Sequence, residues 1–357
     1  MCERLRRCSA KARVAMDARV VVALVAVAAF PVAALHLRRR GGVPRALGRQ
    51  YRREARVAVR LARECGAAML AADAAARSAA WKDGAGGIDP CTATDRANEA
   101  RVRAGLGRAF PGHRVVGEEA CADAGGGLPA LDADAAPTWV VDPIDGTQNF
   151  VAGLPCACVS LGLAVRGAPV LGVVFDPYRD ELWVAAAGRG AFLDGRRLAA
   201  PPPDGYAGVW RGDLSAAVVV TDLGYERGAA GARKLAAFYE SLLRANVHAV
   251  RILGSTVLSL CYVASGRADA LCVGLGDRDC PKPWDWCAGT LVAREAGCTL
   301  DMLDARRHAP GDEARGARGG AAFDLLSRSA VCARSPKLAA KLKGLARAAI
   351  AGARPPP

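Results

Sequence analysis

Residues Trp139–Phe150 read Trp-Val-Val-Asp-Pro-Ile-Asp-Gly-Thr-Gln-Asn-Phe, an apolar run that ends in two acids, a turn and a threonine. A strand over Trp139–Val141 would be buried, and burying unpaired charge is costly, so Asp142 and Asp145 are expected to emerge at its end. Two carboxylates three positions apart, with Pro143 stiffening the link, suit one or two hard divalent cations. Gly146 and Thr147 then offer backbone N–H groups and a hydroxyl where a phosphate would sit. The combination points to metal-assisted phosphate chemistry.

Three further acids follow turn or helix-start signals: Asp95, Glu118 and Asp285. Taken singly, Asp95 reads as a helix cap, Glu118 as a solvated turn charge and Asp285 as the N-cap of the helix after Trp284. Asp142-Pro-Ile-Asp145-Gly-Thr is different, because a simple turn does not need two acids behind a buried strand.

The elements that must position these residues alternate along the chain. Tyr51–Ala76 has helix formers with apolar residues at Val57, Leu61, Cys65, Ala68 and Ala72. Asp95–Phe110 reads as a second helix, with Thr94 or Asp95 near its N-cap and Pro111-Gly112 ending it. Val115-Val116 is a short strand before Gly117-Glu118-Glu119. Cys158–Val165, Val170–Phe175 and Leu182–Ala186 form a meander of strands between Gly/Pro/Asp turns. Pro201–Pro203 divides two halves. Strands Ala216–Thr221, Val247–Ile252, Ala268–Val273 and Cys298–Met302 then alternate with helices Ala232–Leu243, Ser255–Ser265 and Trp284–Ala296, and helix Pro336–Ala349 closes the chain. This is an α/β layering. Residues 303–322, rich in Arg, Gly and Ala, read as a solvated loop.

With 357 residues and 52% hydrophobic content the chain can hold a large core. The net charge of +14 is a nucleic-acid signal only until it is located: residues 1–60 carry fifteen Lys/Arg against three Asp/Glu, or +12, which leaves +2 for the other 297. Aromatic content is 5%, and no basic stripe with stacking rings is present, so nucleic acid is excluded as a partner. The thirteen cysteines contain no CxxC pair and only four histidines exist, which argues against a zinc site; Cys156-x-Cys158 reads as core packing. Val20–Leu35 is an uncharged apolar run of sixteen between basic flanks, followed by His36, Leu37 and Arg38–Arg40. That length lies between a signal-peptide core and a membrane span, leaving open an uncleaved membrane anchor through residues 20–37 or a removed targeting peptide. Residues 1–49 are therefore a targeting or anchor segment with its linker, and 50–350 the catalytic domain, its N-terminal half running to about 200 and its C-terminal half from about 205.

Two stretches resemble the inositol monophosphatase family of metal-dependent phosphatases. Trp139-Val-Val-Asp142-Pro-Ile-Asp145-Gly-Thr147-Gln-Asn-Phe150 is similar to its first signature and Trp284-Asp285-Trp-Cys-Ala-Gly289-Thr-Leu-Val-Ala-Arg-Glu295-Ala-Gly297 to its second. Thr92-Ala-Thr-Asp95, Gly117-Glu118-Glu119, Arg251-Ile-Leu-Gly254-Ser255-Thr256 and Phe323-Asp-Leu-Leu-Ser-Arg328 support it, in the right order over residues 51–350. The resemblance implies an alternating αβαβα sandwich of the inositol monophosphatase/fructose-bisphosphatase type. It further implies a Mg²⁺-dependent, lithium-sensitive phosphomonoesterase with two or three ions, and a homodimer. Glu118, Asp142 and the carbonyl of Ile144 would hold one Mg²⁺; Asp142, Asp145 and Asp285 a second; Glu118 would help hold a weaker third through water. Thr147, paired with Asp95, would orient or deprotonate the attacking water, and the Gly146 and Thr147 N–H groups would hold phosphate oxygens. Gly254, Ser255 and Thr256 match residues on the substrate side. Lys82 resembles a lysine placed near the metals, although by itself it reads as a surface lysine.

The resemblance implies a small phosphate ester, inositol monophosphate first. In animal members of the family a glutamate that contacts inositol hydroxyls occupies the position of Val273 here, and Gly274–Pro283 is a few residues longer. Asp277 or Asp279 would be substitutes; histidinol phosphate or a sugar phosphate are the other esters. A catalytically silent, membrane-tethered module would show a degraded site, yet every proposed ligand is present.

Overall fold

The computed structural model describes residues 42–82, 87–125, 127, 131, 136–199, 213–225, 227–276, 281–303 and 323–352. All belong to one unit, Gly41–Pro357. Among them no helix is long and apolar enough to cross a membrane. The run 20–35, Pro201–Pro203 and residues 304–322 lie outside the described residues.

Helix α1 (Arg52–Ala71) and helix α2 (Ala93–Ala109) form the first layer. The buried stripe of α1 is Ala55, Ala58, Val59, Leu61, Ala62, Cys65, Gly66 and Met69; it includes the expected Leu61 and Cys65, while Val57, Ala68 and Ala72 are only half-buried at its margin. It stops at Ala71, earlier than the expected Ala76, because the Asp73 carboxylate accepts the Ala76 N–H at 2.9 Å and starts a turn. Short strands β1 (Ala79–Trp81) and β2 (Pro90–Thr92) make a two-stranded ribbon before α2.

The second layer is a seven-stranded sheet in sequence order: β3 (Arg114–Gly117), β4 (Thr138–Asp145), β5 (Cys158–Val165), β6 (Ala168–Asp176), β7 (Glu181–Ala186), β8 (Gly190–Leu193) and β9 (Arg196–Arg197). Only β3 and β4 are parallel; the rest is the expected meander, extended by two strands. Two six-residue helices flank β4: α3 (Glu118–Asp123) and α4 (Thr147–Ala152). Strands β5 to β7 are buried almost throughout, because helices cover both faces.

Beyond a 3-10 turn at Leu214–Ala216 come β10 (Val218–Thr221), α5 (Ala229–Arg244), β11 (Ala249–Ile252), α6 (Thr256–Ser265), β12 (Ala270–Val273), α7 (Pro283–Glu295), β13 (Thr299–Met302), β14 (Ala330–Ala333) and α8 (Pro336–Ile350). The five strands pair in the order β11-β10-β12-β14-β13, with β10, β11 and β12 parallel and β14 antiparallel to both its neighbours. Strand β14 had no expectation from sequence. Its alternation sorts the core cleanly: Leu271, Val273, Ala330 and Cys332 face α6, α7 and the first sheet, while Ala270, Cys272, Val331 and Ala333 face α5 and α8. The layers are therefore helices, sheet, helices, sheet, helices, the αβαβα arrangement expected.

One contact aims the fold at its site. Gly162 of β5 and Gly172 of β6 stand opposite each other, and a Cβ at either would run into Cys287 or Ala288 of α7. Two bare backbone positions let α7 lie close on the sheet, which carries Asp285, in its first turn, toward the end of β4.

Candidate active site

Strand β4 does not stop at Val141; it continues through both acids to Asp145, with a register shift between them. In a regular strand residues three apart face opposite sides of the sheet. Here Asp142 stands opposite Ser160 and Asp145 opposite Cys158, so three steps on β4 match two on β5. The extra residue is a bulge, and it returns both carboxylates to one side. Carboxylate oxygens of Asp142, Asp145 and Asp285 lie within 4.8 Å of one another.

Each acid is held by local structure. Asp142 accepts the Ile144 N–H at 3.0 Å, which tightens the bulge. Asp145 accepts the hydroxyl of Ser255 and, at 3.0 Å, the N–H of Val257 in the first turn of α6. Asp285 sits three residues into α7, not at its cap, and accepts the Lys282 N–H at 2.6 Å. Gly146, at φ +90°, turns the chain sharply into α4; a Cβ there would crowd the carbonyls of Cys156 and Gly254.

Behind Thr147 lies Asp95, buried. Helix α2 is capped by Thr92, earlier than expected: the Thr92 N–H and hydroxyl donate to Asp95 Oδ2, and the Asp95 N–H donates back to Thr92 Oγ1 at 3.3 Å. The cap and the expected pairing with Thr147 are thus both present, since the other oxygen, Oδ1, accepts from Thr147 Oγ1 at 3.3 Å. Thr147 has one hydroxyl hydrogen and a second acceptor, the Ile144 carbonyl, at 2.9 Å.

Glu118 opens α3, and Lys82 Nζ reaches its carboxylate at 2.7 Å and that of Glu119 at 3.0 Å. Lys82 is consequently an enclosed cation and not a surface lysine. Burial works against its charge, but Glu118, Glu119 and Asp89 outweigh burial and raise its pKa.

The acids repel. Burial, followed by the charges of Glu118, Asp145 and Asp285, pushes Asp142 well above the usual carboxylate range. Burial, then Asp145 and Glu118, does the same to Asp285. Burial lifts Asp145 to about 6, against the Ser255 and Val257 hydrogen bonds that hold it down, and lifts Asp95 to about 7, against Thr92. A bound cation would relieve this repulsion, and an all-oxygen donor set of carboxylates and a carbonyl fits a hard ion such as Mg²⁺.

A cleft of about 250 Å³ opens over these groups, and Glu118, Asp142, Ile144, Asp145, Gly146, Thr147 and Asp285 are among its lining. Gly254 and Thr256 also line it. Ser255 does not: its hydroxyl turns inward to Asp145, because it is also the N-cap of α6 and accepts the Leu258 N–H at 3.2 Å. Asp95 and Lys82 stand behind the lining residues. Val273 is buried in the core and supplies nothing to the cleft. Asp277 and Asp279 lie outside the described residues.

Part of the lining was not anticipated from sequence: Asp222, Leu223, Gly224, Tyr225, Arg227, Ile252, Pro281 and Lys282. The available signal was topological. Asp222–Arg227 directly follows β10, and Leu253–Thr256 follows β11; crevices at the carboxyl ends of parallel strands are where α/β folds place ligands. The late segment Phe323–Arg328 stays outside the cleft; Phe323 packs edge-on to Trp286 at 5.2 Å and the Ser327 carbonyl accepts Trp286 Nε1 at 2.7 Å, seating α7.

Comparison with known proteins supports the same reading. A model of the inositol monophosphatase family matches residues 50–351. Inositol monophosphatase 2 of Solanum lycopersicum is 39% identical over 212 residues, 59% of this chain and 74% of the relative. Inositol monophosphatase 2 of Homo sapiens is 40% identical over 210 residues, 58% of this chain and 67% of the relative. Among solved structures, extragenic suppressor protein SuhB from Bartonella henselae superposes with a TM-score of 0.64 at 25% identity, covering 82% of this chain and 97% of that one.

Proposed function

The chain belongs to the inositol monophosphatase family of Mg²⁺-dependent phosphatases, and from that premise we propose that it hydrolyses inositol monophosphate to inositol and phosphate by direct attack of water. One observation carries the reading: Asp142, Asp145 and Asp285 converge within 4.8 Å beside a hydroxyl backed by a buried fourth acid. Glu118, Asp142 and the Ile144 carbonyl would hold one Mg²⁺ and Asp142, Asp145 and Asp285 another, with Glu118 assisting a third. Mg²⁺ supplies Lewis acidity toward the phosphate oxygens and makes a water more acidic.

The chain's own groups do the rest. Thr147, its hydrogen donated to Asp95, presents lone pairs that accept a hydrogen from the attacking water and aim its oxygen at phosphorus. Asp95, lifted to about 7, takes up the proton passed through that hydroxyl near neutral pH. Gly146 and Thr147 N–H groups hold phosphate oxygens, and Gly254 and Thr256 border the alcohol. Ser255 and Lys82 position Asp145 and Glu118.

The same chemistry on histidinol phosphate or a sugar phosphate is the second reading, favoured by Val273, whose side chain has no acceptor to offer a polyol and is buried in the core. Phosphate release from inositol 1-phosphate, histidinol phosphate and a sugar phosphate, with and without Mg²⁺ and compared by kcat/KM, separates the two. Asp142→Asn abolishes release from all three if the ligand assignment holds; retained turnover refutes it. A homodimer, the expectation that the resemblance carries, is tested by sedimentation equilibrium in solution. Membrane attachment through residues 20–37 is tested against a cleaved peptide by fractionation and sequencing of the mature N-terminus.

A further inference from the structure

Helix α3 begins with Glu118, yet its N-cap is Gly117, which has no side chain to satisfy the first N–H groups. They are satisfied from elsewhere. The carboxylate of Glu99, on α2, accepts the Glu119 N–H at 2.8 Å and the Ala120 N–H at 3.1 Å. Glu99 is buried, and Arg103 Nε lies 3.4 Å from one of its oxygens. Gly117 is what admits it: a Cβ at that position would collide with the Glu99 carboxyl. An anion at a helix N-terminus is favoured by the helix dipole as well as by its two hydrogen bonds.

We propose that Glu99 is a positioning residue for the metal site, a borrowed cap that sets where α3 starts and hence where Glu118 points into the cleft. The inference rests on the reading of Glu118 as a Mg²⁺ ligand. It differs from the Lys82 contact, which touches the Glu118 side chain; Glu99 acts on the backbone that carries it. Glu99 lies one helical turn after Asp95, so α2 serves the site twice, once through the partner of Thr147 and once through the cap of Glu118. A six-residue helix has little stability of its own, so loss of its cap frees the first turn and with it the ligand.

The test is calorimetric titration of Mg²⁺ into the full chain without substrate, for wild type, Glu99→Gln and Glu118→Gln. The amide of Glu99→Gln keeps the shape but can accept only one of the two N–H groups and turns its own N–H₂ toward the other. Groups that orient metal ligands typically contribute 10–100-fold in affinity, and the Mg²⁺ dissociation constant of Glu99→Gln should rise by about that factor. If Glu118→Gln weakens Mg²⁺ binding and Glu99→Gln binds as wild type does, the positioning role is overturned. If Glu118→Gln itself leaves Mg²⁺ binding unchanged, the ligand reading fails, and this inference with it. Should Glu99→Gln not fold, hydrogen exchange in the wild type decides: Mg²⁺ should raise protection of the Glu119 and Ala120 amides, and unchanged protection overturns the coupling.

Discussion

Ser255→Ala removes one hydroxyl that does two jobs, and the two can be told apart by pH. The Ser255 hydroxyl donates to Asp145 Oδ2, and the same oxygen caps α6 by accepting the Leu258 N–H at 3.2 Å. Loss of the cap costs about 1 kcal/mol of stability, equally at every pH. Loss of the bond to Asp145 acts on proton affinity. A hydrogen bond to a charged group contributes about 1.5–3 kcal/mol and tenfold corresponds to about 1.4 kcal/mol, so the Asp145 carboxyl should move from about 6 to roughly 7–8. Protons and Mg²⁺ compete for these oxygens. At pH 6 the competition weakens apparent Mg²⁺ affinity about twofold in the wild type and roughly 10- to 100-fold in the variant, a ratio of about 5–50. At pH 8 the ratio is at most about 2, because Asp145 is then almost fully ionised in the wild type and at least about half ionised in the variant. Calorimetric titration of Mg²⁺ at pH 6 and pH 8, below the melting temperature of each protein, measures both ratios. Equal ratios at the two pH values would refute the argument and leave Ser255 a helix cap alone.

Chelated protein should become more stable on mild acidification. Folded Asp142, Asp145, Asp285 and Asp95 hold protons more tightly than the unfolded chain does, so the folded state takes up protons first. Tm in EDTA should therefore rise between pH 8 and pH 6, through the values near 7 and 6, and saturating Mg²⁺ should flatten the dependence; a Tm that falls in EDTA over this range contradicts it. Thr147→Val should lower kcat by about 10²–10⁴ while calorimetric Mg²⁺ affinity stays near wild type; a parallel loss of Mg²⁺ binding would make Thr147 structural. Gly172→Ala should cost about 1–3 kcal/mol by overpacking against Ala288 and weaken Mg²⁺ binding as α7 retreats with Asp285. Gly107→Ala, at an exposed position of α2 with open space around it, should be neutral or stabilising by denaturant melts.

Sequence alone settled what is local. Apolar runs and alternation between turn signals, and apolar repeats near 3.6 residues, located most strands and helices. The two acids after Val141 pointed to hard-cation chemistry because a simple turn does not need two carboxylates behind a buried strand. Residues far apart in the chain were another matter. Asp142 and Asp145 share a side only because β4 bulges against β5, a matter of pairing register. Asp285 reaches them only because Gly162 and Gly172 let α7 approach. Ser255, expected to face substrate, turns inward to Asp145; Lys82, unremarkable alone, is enclosed by Glu118, Glu119 and Asp89. Strand β14 enters between β12 and β13, against chain order, and Glu99 caps a helix twenty residues away. A residue's type limits the partners it can satisfy. Which partner it meets is decided by chain crossing and by the requirement that every buried charge and N–H be paired, and those conditions exist only once the layers are closed.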